Sequence, residues 1–231
     1  MEKSVYEVIQ INDTSWRIEE SGVRSFLFVG TDKALLIDSG FGTGNIKEVV
    51  EALTTLPIML VNIHADKDHL GCNKLFDKAY MHTAEFDRYH QAMGKECIAA
   101  PLWEDDIIDL GGRIFQAILI PGHTPGSIVL LDEENKILIG GDSVQMGAIY
   151  MFGTGRNIHA YIHSMKELAM RIRRKFDTVY PSHGPFPVDA GILDELIDGA
   201  KQIRDGKVVG VPPPRDVSAK LYEIGRVKFL Y

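Results

Sequence analysis

Four apolar runs of this chain lead into a side chain that resists burial, three of them directly through a small residue. They are "PIMLVNIH" (57–64), "ILIPGH" (118–123), "ILIGGD" (137–142) and "TVYPSH" (178–183). Short apolar runs bounded by turn residues read as buried strands. Glycine at or near their ends lets the backbone approach another group without a β-carbon in the way. Layered α/β folds place their sites at such strand ends. A fold that carries all four tips to one edge gathers His64, Asp66, Asp68, His69, His123, Asp142 and His183.

That set holds four imidazoles, three carboxylates and no thiolate. Charges left unpaired at a core edge cost several kcal/mol each, and divalent cations seated between them remove that cost. Nitrogen and oxygen donors suit Zn, Fe or Mn, whereas Mg and Ca want fewer imidazoles. Seven ligands exceed what one tetrahedral ion takes and suit two ions with an open position. Metal pairs about 3.5–4 Å apart are a hydrolytic device. Any one of these histidines, alone, reads better as a polar loop residue. Four tips together, the first with two His, two Asp and a Lys in residues 64–69, do not.

The totals narrow the partners. With 231 residues the chain can bury a sizeable core, and a single domain over 1–231 is expected. A net charge of -7 with no basic stripe argues against nucleic acid. No apolar run approaches the roughly 20 residues of a membrane helix. "KSVYEVIQINDTSWRIEE" (3–20) alternates and carries acids, unlike a signal or transit peptide. Cys72 and Cys97 therefore read as free thiols of a reducing compartment, and a cytoplasmic location is expected. A small molecule is the expected partner; oligomeric state is not legible.

The pattern along the chain predicts strands in "YEVIQIN", "WRIEE", "SFLFVG" and "KALLIDSG", a helix over 45–56, and a buried strand in "PIMLVNI". A helix over 83–93 is expected to open on Thr83 as its N-cap. "GRIFQAILI", "SIVLLD" and "KILIGG" read as strands, 160–176 and 188–204 as helices, and "AKLYEIG" with "VKFLY" as a hairpin. The triple proline at 212–214 marks a surface connection. Strands returning after the midpoint, with helices following strands in both halves, suit two packed sheets with helices outside.

The ligand residues resemble the metallo-β-lactamase superfamily, whose pattern is His-x-His-x-Asp-His, then a His, an Asp and a final His, each on the loop after a strand. "HADKDH" (64–69), "PGHTPGS" around His123, "GGDS" around Asp142 and "PSHG" around His183 supply those elements. "LLIDSG" and the "AYIHSMKEL" helix also resemble the group, in particular its glyoxalase II-like hydrolases. The resemblance implies a four-layer αββα sandwich of mixed α/β and α+β character. It implies one metal on His64, His123 and residue 66, a second on Asp68, His69 and His183, and Asp142 bridging them. Asp66 departs from the pattern, standing where the family has a histidine. The extra negative charge is expected to make the first metal less Lewis acidic and to bear on the choice among Zn, the leading expectation, Fe and Mn.

The function expected is a metallo-hydrolase that activates water on two metals for attack on a small ester, thioester or lactone-like substrate. Asp68 is the expected catalytic residue, orienting the nucleophile and carrying a proton to the leaving group. Lys67 is a candidate contact for an anionic substrate, against the plainer reading of a solvated loop lysine. Tyr150 and Phe152 are candidate pocket residues, against plain strand material. The alternative function is a di-iron oxidoreductase reducing oxygen or nitric oxide, to which the carboxylate at Asp66 points. A third reading is a binding protein that keeps the site without turnover.

Overall fold

The computed structural model describes residues 5–231, and Lys3 and Ser4 of the alternating N-terminal run lie outside them. The chain divides into two compact units, Met1–Ala117 and Ile118–Tyr231.

In the first unit, alternating β-rich segments pair in chain order. β1 (Glu7–Asn12), β2 (Ser15–Glu20), β3 (Val23–Val29) and β4 (Ala34–Ile37) form an antiparallel meander. β5 (Ile58–Val61), β6 (Ala79–Met81) and β7 (Ala99–Pro101) then add in parallel, giving a seven-stranded sheet in sequence order. Parallel addition needs crossovers, supplied by α1 (Ile46–Glu51) and α2 (Phe86–Met93) among other turns. Asn45 caps α1 by accepting from the Glu48 N–H at 3.3 Å, while its amide donates to the Glu48 carboxylate at 2.8 Å. The helix stops short of the expected residue 56, because β-branched Thr54 and Thr55 and then Pro57 oppose its continuation. Thr83 is not the cap expected for the next helix. A 3-10 turn over Thr83–Glu85 precedes α2, and it is His82 Nδ1 that accepts from the Ala84 N–H. Ile18, Leu27, Leu36, Leu60 and Tyr89 form the core of this unit, each contributing roughly 1.5–3 kcal/mol by leaving water. β8 (Ile107–Asp109) and β9 (Ile114–Leu119) make an antiparallel hairpin that the sequence pattern shows only in its second strand.

The second unit repeats the logic. β10 (Ile128–Asp132) pairs antiparallel with β11 (Ile137–Gly141), and β11 pairs in parallel with β13 (Thr178–Pro181). The crossover is α3 (Ile158–Ile172), whose N-cap Asn157 accepts from the His159 and Ala160 N–H groups. β14 (Val188–Asp189) adds antiparallel to β13, so the helix expected from 188 begins later, as α4 (Ile192–Arg204). The C-terminal hairpin forms as expected from β15 (Leu221–Ile224) and β16 (Val227–Leu230). It also takes β12 (Ala148–Tyr150) in parallel onto β16, which local pattern does not reveal. Leu131, Leu138, Tyr161, Met165, Leu196 and Phe229 lie in the core between this unit's strands and helices. Among the described residues no helix is long and apolar enough to cross a membrane.

Candidate metal centre

In the first unit, β5 ends at Val61 and the chain turns into a loop that carries four of the expected ligands. His64 and His69 are fully buried, with ring centroids 4.1 Å apart. Lys67, Asp68 and His69 form a 3-10 turn, which puts Asp68 beside His69 and leaves Lys67 exposed. His64 Nε2 lies 3.6 Å from Asp66 Oδ2, and His69 Nε2 lies 3.6 Å from Asp68 Oδ2.

A buried polar network holds this loop from behind. Asp38, fully buried at the end of β4, accepts from the Ile63 N–H at 3.1 Å and from the Asn62 amide at 3.4 Å. Its other oxygen is 2.7 Å from His69 Nδ1. Asn62 also donates to the His69 carbonyl, and Asn73 donates to the Asn62 side-chain oxygen. Ser39 donates to Asn73 and accepts from the Cys72 N–H. Cys72 and Cys97 are both buried free thiols. Gly71 packs so tightly on the Phe41–Gly42 backbone that a Cβ there would lie 2.0 Å from the Phe41 carbonyl carbon. The sequence reading did not pick out Asp38 as a working residue, although "LLIDSG" carried the signal: an apolar strand breaking into Asp-Ser-Gly. A carboxylate at Nδ1 fixes the proton there and leaves Nε2 as the lone-pair nitrogen, the arrangement of a metal-bound histidine.

The expected charge of Asp66 is met by a partner that the linear motif hides. Arg88 on α2 reaches Asp66 Oδ1 at 2.5 Å and the Ala65 carbonyl at 3.2 Å. The carboxylate standing in the family's histidine position therefore carries less net charge into the site than the sequence alone implies.

In the second unit, His123, Asp142 and His183 come together. Asp142 presents one oxygen to each histidine, Oδ2 at 3.8 Å from His123 Nε2 and Oδ1 at 3.3 Å from His183 Nε2. A register slip between Ile139 and Gly141, with Gly141 at φ +55°, turns the end of β11 to aim this side chain. His123 Nδ1 donates to the Tyr150 carbonyl at 3.0 Å, again leaving Nε2 as the acceptor nitrogen. His183 is seated by its N–H on the side-chain oxygen of buried Gln145, at 3.2 Å. Tyr150 contributes its carbonyl here, and its ring stacks on Phe152 at 5.7 Å with Arg215 over its face.

Gly122 shows why the strand tips carry glycine. Its φ is +149°, its carbonyl accepts from the Asn157 N–H, and an added Cβ would lie 2.4 Å from the Tyr161 Cα. Gly122→Ala should cost about 2 kcal/mol or more through overpacking against α3 and backbone strain. Urea denaturation would register it as a lower midpoint, and an unchanged midpoint would contradict this packing.

The donor spacing tests whether these residues fit a cation. Two ligands each about 2.1 Å from one tetrahedral ion sit roughly 3.4 Å apart. The four His–Asp separations, from 3.3 to 3.8 Å, fall around that value. They exceed the roughly 2.7–3.0 Å of a charge-assisted hydrogen bond. The residues fit a transition metal bound through imidazole and carboxylate.

The model of the metallo-beta-lactamase superfamily matches residues 18–183. The acyl-coenzyme A thioesterase MBLAC2 of Gallus gallus is 28% identical, covering 72% of this chain and 75% of that protein. The hydroxyacylglutathione hydrolase GloC of Haemophilus influenzae is 27% identical, covering 54% of this chain and 68% of its own length. Among solved structures, a metallo-beta-lactamase from Pontibacter korlensis superimposes with a TM-score of 0.72 at 20% identity, over 85% of this chain and 99% of that one. The fold is thus the αββα sandwich that the resemblance implied. On the match over residues 18–183, the chain belongs to the metallo-beta-lactamase superfamily.

Proposed function

We propose that the protein is a metal-dependent hydrolase acting on a thioester-type substrate. In this reading His64, Asp66, Asp68, His69, His123, Asp142 and His183 hold two divalent transition metals, zinc first among them. The observation that carries it is the fixing of Nδ1 in His69 and His123, by Asp38 and by the Tyr150 carbonyl, with a carboxylate oxygen near each Nε2. When bound, the metals supply Lewis acidity and lower the pKa of a water.

The chain's own residues do the rest. Asp68, a quarter exposed beside buried His69, orients the nucleophile and passes a proton to the leaving group. Lys67, exposed on the same turn, meets a negatively charged part of the substrate. The half-buried Tyr150–Phe152 pair gives an acyl or thiol portion an apolar surface. The relatives named as a thioesterase and as a hydroxyacylglutathione hydrolase support a thioester over a lactone or phosphodiester. The partner is therefore a small molecule. The di-iron alternative rests on the carboxylate of Asp66, and Arg88 offsets the charge that favoured it. Iron content and an optical spectrum separate the two readings.

The test is elemental analysis of protein purified without added metal, followed by acyl-coenzyme A, acyl-glutathione, lactone and phosphodiester substrates. Thioester turnover that a chelator abolishes and Zn2+ restores is expected. Turnover confined to phosphodiesters, or none across the panel by metal-loaded protein, contradicts the proposal. Chelation should also lower the melting temperature, because a ligand held only by the folded state stabilises it. An unchanged melting curve argues against metal at these residues.

A further inference from the structure

We infer that Arg88 is a positioning residue for Asp66, clipping the ligand loop to α2 so that one carboxylate oxygen is held toward His64. The inference rests on the metal centre proposed above. The peptide between the two ligands is gripped on both sides. Buried Glu85 accepts from the Ala65 N–H at 2.9 Å, and Arg88 Nε donates to the Ala65 carbonyl at 3.2 Å. Glu85 and Arg88 stand three residues apart, so both point from the same face at the start of α2.

The guanidinium then reaches one residue further. Its Nη2 pairs with Asp66 Oδ1 at 2.5 Å, and Asp66 Oδ2 lies 3.6 Å from His64 Nε2. The two oxygens of Asp66 thus divide their work: one is tied to Arg88, the other faces the imidazole. A free carboxylate can rotate and bind a metal through either oxygen or both. A tied one offers a single, aimed oxygen, as the nitrogen of a histidine would. The family's histidine position is served in this chain by two residues, Asp66 and Arg88.

Two effects of Arg88 on a nearby dication oppose each other. Its positive charge repels the ion, and its fork orients the ligand. The Arg88 side chain is 40% exposed, so water and salt screen the repulsion. Partners that orient a metal's ligands are worth about 10–100-fold in affinity. Orientation wins. Because Arg88 joins a hydrogen bond to the Ala65 carbonyl with an ion pair to Asp66 in another direction, lysine cannot replace it.

The experiment compares the full chain with Arg88→Ala, Arg88→Lys, Asp66→His and the double variant Asp66→His/Arg88→Ala. Zn2+ affinity is read by competition with a chromophoric chelator, and ligand geometry by the visible spectrum of the Co2+-loaded protein. Arg88→Ala should weaken one of the two binding steps by about 10–100-fold and alter the Co2+ bands. Arg88→Lys should stay within about 3-fold of Arg88→Ala. In the Asp66→His background, where no carboxylate needs aiming, Arg88→Ala should change affinity by less than about 3-fold. Wild-type affinity in Arg88→Ala, full rescue by lysine, or an equal loss in both backgrounds overturns the inference while leaving the metal centre standing. A native chain that takes up neither Zn2+ nor Co2+ overturns both.

Discussion

Asp142→Ala is expected to lose metal and turnover together, each by more than about 100-fold, since removing a ligand costs at least what removing its orienting partner does. Asp142 is nearly buried and lies between two imidazoles, one oxygen toward each, at 3.3 and 3.8 Å. The His123 nitrogen that faces it carries the lone pair, because the other ring nitrogen donates to the Tyr150 carbonyl. A lone pair opposite a carboxylate oxygen is repulsive with nothing between them and strongly favourable with a cation there. The same argument separates binding from folding. Asp142→Asn keeps the shape and removes the charge, so without metal it should be as stable as the native chain or more so, while holding metal far more weakly. Metal content by elemental analysis, thioester turnover and metal-free urea midpoints give the three readings. Full metal content with activity in Asp142→Ala would remove this residue from the centre.

The seven ligand candidates were legible because each tip breaks a local rule: an apolar run ends on a group that opposes burial, where a turn residue would suffice. What stayed hidden depends on contacts between distant segments. Asp38 and Arg88 lie in ordinary contexts, a strand end and a polar helix, and acquire meaning only when β4 and α2 come against the 62–73 loop. The charge of Asp66 is only half legible for the same reason, because its partner Arg88 lies on α2. The strand ladder was read well where β-rich runs are separated by turn residues, as in β1 to β4. That reading does not extend to three-residue strands such as β6 and β7, which pairing with neighbours creates. The helix expected from residue 188 begins late for the same reason: β13 offers Val188 and Asp189 a ladder to join.

Asp38→Asn is expected to leave the fold in place and weaken metal binding at His69 by about 10–100-fold. The fully buried Asp38 accepts from the Ile63 N–H through Oδ1 and meets His69 Nδ1 at 2.7 Å through Oδ2. Asparagine can keep the first bond with its carbonyl oxygen, but it then presents an N–H to the imidazole. Nδ1 must become the acceptor, the proton moves to Nε2, and the nitrogen beside Asp68 can no longer bind a cation. Replacing a buried carboxylate by its amide next to a working histidine acts through the tautomer in this way in serine proteases. Asp38→Ala should instead damage the fold, by about 3–5 kcal/mol. It leaves the Ile63 and His69 donors buried without that acceptor and places alanine at φ +60°. The two variants thus split one residue's structural and electronic roles. Nitrogen-15 NMR of the His69 ring, with a Zn2+ titration, checks the first, and urea denaturation the second. An Asp38→Asn protein that keeps the Nε2 lone pair and native zinc affinity would show that Asp38 holds the loop without setting the proton.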